Sequence, residues 1–461
     1  MPALLIGVWG IRRQDTLWGD EAVTFAMSHR SVPQIWHTLG HVDVVHGLYY
    51  LIMHGVFGLW DGGLVALRLP SVLAVAAAAV GVIRLGQRLA GTWTGLLAGL
   101  VFPLLPPVQR YAQEGRSYAL ICALITWASC LLVSSLSRPG RRRWVAYGTV
   151  ILTACLLHEF AVLMLLAHGV AVFRARLARP VTRAWSIAAG GVLVGLLPLA
   201  AFSTTQSAQV DWIGTPDAGE VLGFVATALL GVAFARSAGR ARGPITLSAL
   251  ALPLLILPST LLMLTSPLHP LYVDRYVLAS AIGFALLAGS MLDRLRQSAR
   301  GAGTMHRVTC AVALAMVLAT LVPVSTALRK PGSRENDAVA IARAVQDIAE
   351  PGDGLLFMPS RRRVWTLARP GSFRTLSDLA LEQTPVASDT LFGMELPTDR
   401  IRERILTRAR VIAVRDPEGQ PVDANAREAV KRSALGAYFE ECASRTVTQA
   451  RITVYARPGH C

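Results

Sequence analysis

Two adjacent carboxylates, Asp20 and Glu21, stand in the stretch LWGDEAVTFAMSHRS, Leu17 to Ser31, shortly after an apolar start. A carboxylate placed against a hydroxyl can take its proton as a general base. The competing reading is helix capping, since acids in the first turn of a helix gain about 0.3–1 kcal/mol from the macrodipole. Further along, His41, Asp43 and His46 are spaced so that their side chains converge on a loop-to-helix turn, as a metal site requires; hydrogen bonding within that loop satisfies the same groups and is the preferred reading. Arg116 with Tyr118, and Arg275 with Tyr276, each set a permanent planar cation beside a phenol, a combination suited to a phosphate oxygen. For Arg275 the alternative is reaching out to lipid headgroups, and for Arg116 an ion pair with Glu114. Gln113 and His158 complete the polar set.

The elements that hold these residues are membrane-like. Of 461 residues, 53% are hydrophobic and 16% charged, with a mean hydropathy of +0.46, too apolar for an ordinary soluble surface. The net charge of +16 comes almost wholly from arginine, because Lys330 and Lys431 are the sole lysines. Those arginines cluster in short loops at 84–88, 138–143, 174–183, 236–242 and 293–300. The positive-inside rule accounts for them as cytoplasmic, which removes the case for nucleic-acid binding.

Alternation of these loops with acidic or aromatic ones predicts eleven spans: 1–11, 64–83, 92–108, 117–137, 144–157, 160–173, 184–202, 221–235, 244–265, 276–292 and 307–328. The first run is about half the ~20 residues a crossing needs, so either the true start lies upstream or the first helix is short. The same parity makes 46–60 an interfacial helix in a first external loop, 12–62. It also forces two helices of about 14 residues into 144–173, with their turn at His158 and Glu159 sunk below the outer surface. Ionisable groups at that depth default to function. His168, within a span, reads as helix packing. Asp20, Glu21, His41, Asp43, His46, Gln113, Glu114, Arg116, Tyr118, His158, Asp211, Trp212, Arg275 and Tyr276 all fall on the outer side, which suits a reaction site better than a conduction path.

In this order and on this side, WGDEAVT, HVDVVHGLYYLIMH with ALRLPSVLA, RYAQEGRSYAL, LHEFAVLMLLAH and YVDRYVLAS resemble the bacterial branch of the protein mannosyltransferase and aminoarabinose transferase superfamily. The resemblance covers residues 1 to about 330. It implies a polytopic α-helical GT-C-like fold and an inverting membrane glycosyltransferase taking a single sugar, mannose-like favoured, from a polyprenyl phosphate. It further implies Asp20 as the base, with Glu21 beside it, and Arg275 and Tyr276, together with Arg116, as holders of the donor phosphate. His46 stands where many relatives carry a Pro-rich stretch, so the sugar can differ in this branch. Implied partners are the lipid-borne donor, membrane lipids and a glycan, lipid or protein acceptor. No cofactor is called for, a divalent metal being the unfavoured option, and no nucleotide-binding motif is present. The implied location is the bacterial plasma membrane, with the site outside. A transporter would instead predict mid-span charge and repeat symmetry, and a ligase a lipid diphosphate donor.

After residue 330 the sequence turns mixed and polar. Amphipathic NDAVAIARAVQDIAE, then GLLFM, ARVIAVRDP and ARITVYARP, read as a helix and three strands of a small α/β domain, 331–461, on the outer face. Cys442 and Cys461 lie in polar sequence there, and an oxidising compartment would let them pair.

Overall fold

The computed structural model describes residues 1–461 apart from 211, 237, 239–242, 302–303, 335, 369 and 421–424. Asp211 and most of the 236–242 loop thus lie outside the described residues. The chain divides into two compact units, one of residues 1–11, 43–49 and 68–328, the other of residues 12–42, 50–67 and 329–461.

In the helical part of the chain, apolar composition and helix length go together. Among the described residues, Gly63–Leu89, Tyr118–Ser137, Arg179–Ser207, Ala218–Ala235 and Leu247–Thr265 are long and apolar enough to cross a membrane. Ser280–Gly301 and Thr304–Ala327 add 22 and 24 residues. Pro2–Val8 is a helix of 7 residues, far short of a crossing. Arg141–Leu157 and Val162–Arg174 have 17 and 13 residues, about 25 and 20 Å at the helical rise, with His158 at the break between them.

Lipid offers helices little hydrophobic reason to associate, so small residues and interhelical hydrogen bonds must do it. A Cβ on Gly289 would lie 2.6 Å from Ala98 N, so Ser280–Gly301 and Thr92–Val101 meet backbone to backbone. Thr94 Oγ1 donates to Asp293 Oδ2 at 3.0 Å across the same contact. Buried His168 ties four helices together: its Nε2 lies 2.8 Å from Ser129 Oγ and its Nδ1 3.0 Å from Tyr147 OH. Trp185 Nε1 donates to that same Tyr147 oxygen at 3.3 Å.

Among the described residues, the second unit has the strands β1 Gly354–Met358, β2 Ser377–Asp378, β3 Leu381–Gln383, β4 Met394–Glu395, β5 Arg410–Arg415, β6 Glu440–Val447 and β7 Ala450–Ala456. Five form one sheet in the order β2-β1-β5-β7-β6, while β3 and β4 pair separately. β1 runs parallel to β2 and β5, and β7 antiparallel to β5 and β6. Side chains alternate between faces as strand geometry requires. Leu355, Phe357, Ile412, Val414 and Ile452 pack with helix Ala338–Ile348 and Trp365; Leu356, Met358, Val411 and Ala413 pack with helices Thr398–Leu406 and Ala426–Tyr438. β1, β5 and β7 coincide with the three strands read from sequence, whereas β6, a largely exposed edge strand, carries no apolar run to announce it.

The sequence places 12–62 with residues 1–330, but 12–42 and 50–67 cluster with 329–461. Long-range hydrogen bonding and packing explain the difference. Ala338 N donates to Leu17 O at 2.9 Å and Gly19 N to Asn336 Oδ1 at 2.8 Å. Arg30 donates to Thr390 O at 2.8 Å, and Leu391 packs among Val23, Met27, Ile35, Leu39 and Tyr50.

Cys442 and Cys461 form a disulfide, with Cα atoms 5.4 Å apart across 19 positions. A cross-linked peptide joining the two is expected in a digest of the non-reduced protein. Cys442→Ser should destabilise the sheet unit by about 3 kcal/mol in denaturant titration, the loop-closure value for this loop length. Two free thiols would contradict the pairing.

Candidate functional site

The helical unit gathers six of the expected residues around one turn. His158 ends helix Arg141–Leu157, and its Nδ1 accepts from Phe160 N at 3.4 Å. An accepting Nδ1 leaves the proton on Nε2 of a neutral ring. The His158 ring centroid lies 4.5 Å from Tyr276, 5.6 Å from His46 and 6.0 Å from Tyr118. Phe160 closes the group at 5.4 Å from His158 and 5.2 Å from Tyr276. Asp43, a left-handed residue with φ 63°, opens the 3₁₀ turn Val44–His46 and accepts from His46 Nδ1 at 2.7 Å.

Arg275 sits in the 3₁₀ turn Asp274–Val277 and is 9% exposed. Three ring faces surround its guanidinium, Trp212 at 5.0 Å, Tyr276 at 5.6 Å and Tyr118 at 6.0 Å, within cation–π range. Tyr111 OH donates to Asp274 Oδ1 at 2.6 Å and so fixes the turn. Burial first, then the Asp274 charge, raises the Tyr111 phenol well above its usual range, which keeps it a donor. A small pocket is lined by Tyr118, His158, Ala161, Arg275, Tyr276 and their apolar neighbours.

His158 is the electrostatic gauge of this cluster. Burial holds its pKa well below 6.5, and the neighbouring His46, Arg275 and Arg116 push in the same direction against a smaller pull from Asp43. Arg116 is therefore close enough to be felt, and it is buried. Gln113 turns elsewhere: its Nε2 donates to Gly7 O at 2.8 Å and Trp9 O at 2.6 Å, anchoring the N-terminal segment. Glu114 is buried, with its backbone carbonyl accepting from Ser71 Oγ at 2.6 Å.

The other expected residues belong to the second unit. Asp20 and Glu21 open helix Gly19–Ser28. Glu21 is fully buried, and Oε2 receives Arg13 NH2 at 2.6 Å. Arg13, Gln14 and Asp15 all have positive φ, 43°, 56° and 61°, and this sharp bend brings Arg13 back onto the helix. The bend gives Glu21 a structural ion pair, the kind whose breaking costs about 3–5 kcal/mol. Asp20 is partly exposed. His41 is exposed, and its Nδ1 bonds His37 O at 3.0 Å. Among the described residues no three His, Cys, Asp or Glu side chains are grouped to hold a metal. Phe160, Tyr111 and Asp274 were absent from the expected set. For Tyr111 and Asp274 the available signal was their place within RYAQEGRSY and VDRY.

A buried cation ringed by phenols and an indole, beside a neutral imidazole, is equipped to receive an oxyanion. The helical architecture, with its long apolar helices, is that of a multi-pass membrane protein. No family model and no curated protein matches the chain. The structure of ArnT from Cupriavidus metallidurans bound to undecaprenyl phosphate superposes with a TM-score of 0.62 at 12% identity, covering 98% of this chain and 96% of that one. Its apo state gives 0.57 at 12% identity, over 94% and 93%. The chain has the GT-C fold, as the sequence resemblance implied.

A pH dependence follows from His158. With its folded pKa below the unfolded value near 6.5, the unfolded chain binds more protons as pH falls, so the contribution is complete above 6.5 and is lost toward the folded pKa. The thermal midpoint should therefore drop on acidification below about pH 6.5, and His158→Asn should flatten that drop. An unchanged acid slope in the variant would show that His158 is not the group responsible.

Proposed function

We propose that this chain is an inverting membrane glycosyltransferase that moves one sugar, mannose-like favoured, from a polyprenyl phosphate to an acceptor hydroxyl outside the cytoplasm. The observation that carries it is the caged guanidinium of Arg275 within the fold seen in ArnT with undecaprenyl phosphate bound. A lipid phosphate brings one compact anion to the membrane surface on an apolar tail. Such a ligand matches a buried cation at the outer ends of apolar helices.

The chemistry asks for two things. The acceptor oxygen must lose its proton as it bonds to C1 of the sugar, and Asp20 is the residue proposed for that task. Glu21, committed to Arg13, keeps the helix start in place. The bond from C1 to the phosphate breaks on the opposite side of the sugar, which inverts C1. The electron pair goes to the phosphate oxygen, where Arg275 and Arg116 hold the growing charge and Tyr276 adds a hydroxyl donor. His158, kept neutral, avoids adding a charge that would compete with theirs for the phosphate. Asp43, His46 and Tyr118 shape the pocket wall.

The eleven-span topology, with residues 12–62 and 329–461 outside the cytoplasm, belongs to the same proposal. It is supported by five Arg-rich loops alternating with acidic or aromatic ones. In intact cells, single cysteines introduced at 215 and at 140 should react with an impermeant thiol reagent at 215 alone; the reverse pattern would invert the topology.

For catalysis, Asp20→Asn should lower turnover by about 10² to 10⁴ with donor affinity kept. Arg275→Ala should weaken donor affinity as well, by roughly 10- to 100-fold for a charge-assisted contact. Near-normal turnover of Asp20→Asn would move the base to another carboxylate.

A further inference from the structure

The sheet unit contains a second polar cavity, apart from the residues given roles above. It lies beyond the carboxyl ends of β1 and β5, adjacent parallel strands in register from Gly354 opposite Val411 to Met358 opposite Arg415. Leaving β1, the chain passes to helix Val364–Ala368, whose Trp365 packs on the face of Leu355 and Phe357. After β5 the next helix is Ala426–Tyr438, whose Ala434 and Leu435 pack on the opposite face. Neighbouring parallel strands whose connections depart to opposite faces make a topological switch point, where open α/β sheets bind ligands.

The cavity measures about 230 Å³, and Arg415, Asp416, Glu418, Glu428, Arg432 and Arg451 are among its walls. That volume is roughly eight waters' share of liquid, the scale of one monosaccharide. Most wall carboxylates are already engaged. Asp416 receives Arg361 at 2.8 Å and also Arg362. Glu418 is bound by Arg451, which reaches Glu441 as well. Glu428 Oε1 accepts from Lys431 Nζ at 2.8 Å and Ser360 N at 3.0 Å.

Two groups remain available. Arg415 has no carboxylate partner among the described residues and donates only to Tyr455 OH, at 2.7 Å. Glu428 is 1% exposed, yet its Oε2 has no hydrogen-bond partner among the described residues. A ligand that satisfies both must carry a negative group for the guanidinium and a hydroxyl donor for the buried carboxylate oxygen. We infer that this crevice binds a monosaccharide unit bearing one anionic group, a carboxylate or a phosphate.

Calorimetric titration of the full-length protein in detergent tests this without recourse to turnover, so its result stands apart from the transferase reading. Glucuronate and glucose 6-phosphate distinguish the two anions, with glucose and inorganic phosphate as half-ligands. At least one anionic sugar should bind, roughly 10- to 100-fold more tightly than either half-ligand. Arg415→Gln and Arg415→Met should each weaken that binding by a similar factor, at wild-type melting temperature. If one variant fails to fold, the other still decides the matter. Absence of binding by both anionic sugars, equal affinity for inorganic phosphate, or binding unchanged in the folded Arg415 variants would overturn the assignment.

Discussion

A guanidinium cannot shed its proton, so wherever a fold withdraws Arg275 from water it must supply a substitute for hydration. Part of that substitute is aromatic: the faces of Trp212, Tyr276 and Tyr118 offer negative quadrupole to the cation. Asp274, adjacent in sequence, accepts from Tyr111 OH through Oδ1 and so fixes the turn that carries Arg275. Neighbouring groups then have to avoid adding positive charge, and a buried, neutral His158 meets that condition.

The helix packing follows from the same scarcity of water. Several polar side chains inside the helical unit are joined across helices, as with His168, Tyr147, Ser129 and Trp185, or Thr94 and Asp293. Each such bond contributes modestly, about 0.6 kcal/mol where measured in membranes, but leaving its groups unsatisfied costs more. The sheet unit meets its polar burden differently. Lys431, fully buried, is held by Glu395 and Glu428 at 2.8 Å each, and Arg363 bonds Glu395 and Asp378. Removing one member of that network strands a charge, so its members are expected to depend on one another.

Hydrophobic runs were enough to read the largely helical character of residues 1–330, because lipid allows few alternatives to an apolar helix with its charges at the ends. The break at His158 was legible for the same reason, since two short helices had to turn there. Three strands of the sheet showed as apolar runs, while β6, exposed and polar, did not. The fate of Glu21 was hidden because three successive left-handed residues, which no local pattern announces, swing Arg13 onto it. Phe160 and Trp212 became walls of the Arg275 cluster only through tertiary packing. Residues 12–42 read as part of a first external loop, 12–62, from the alternation of charged loops, whereas their hydrogen bonds to Asn336, Ala338 and Thr390 are long-range facts.

The central claim is that the caged arginine receives a lipid-borne monophosphate from which a sugar departs. The most direct measurement incubates the purified protein, in a bilayer, with a polyprenyl phosphate carrying a radiolabelled mannose and a panel of hydroxyl acceptors. The account predicts that label leaves the lipid for an acceptor while polyprenyl monophosphate accumulates in equal amount, with inversion at C1. Intact labelled lipid, with sugar released from a lipid diphosphate donor or whole lipid moved across the bilayer, would contradict it.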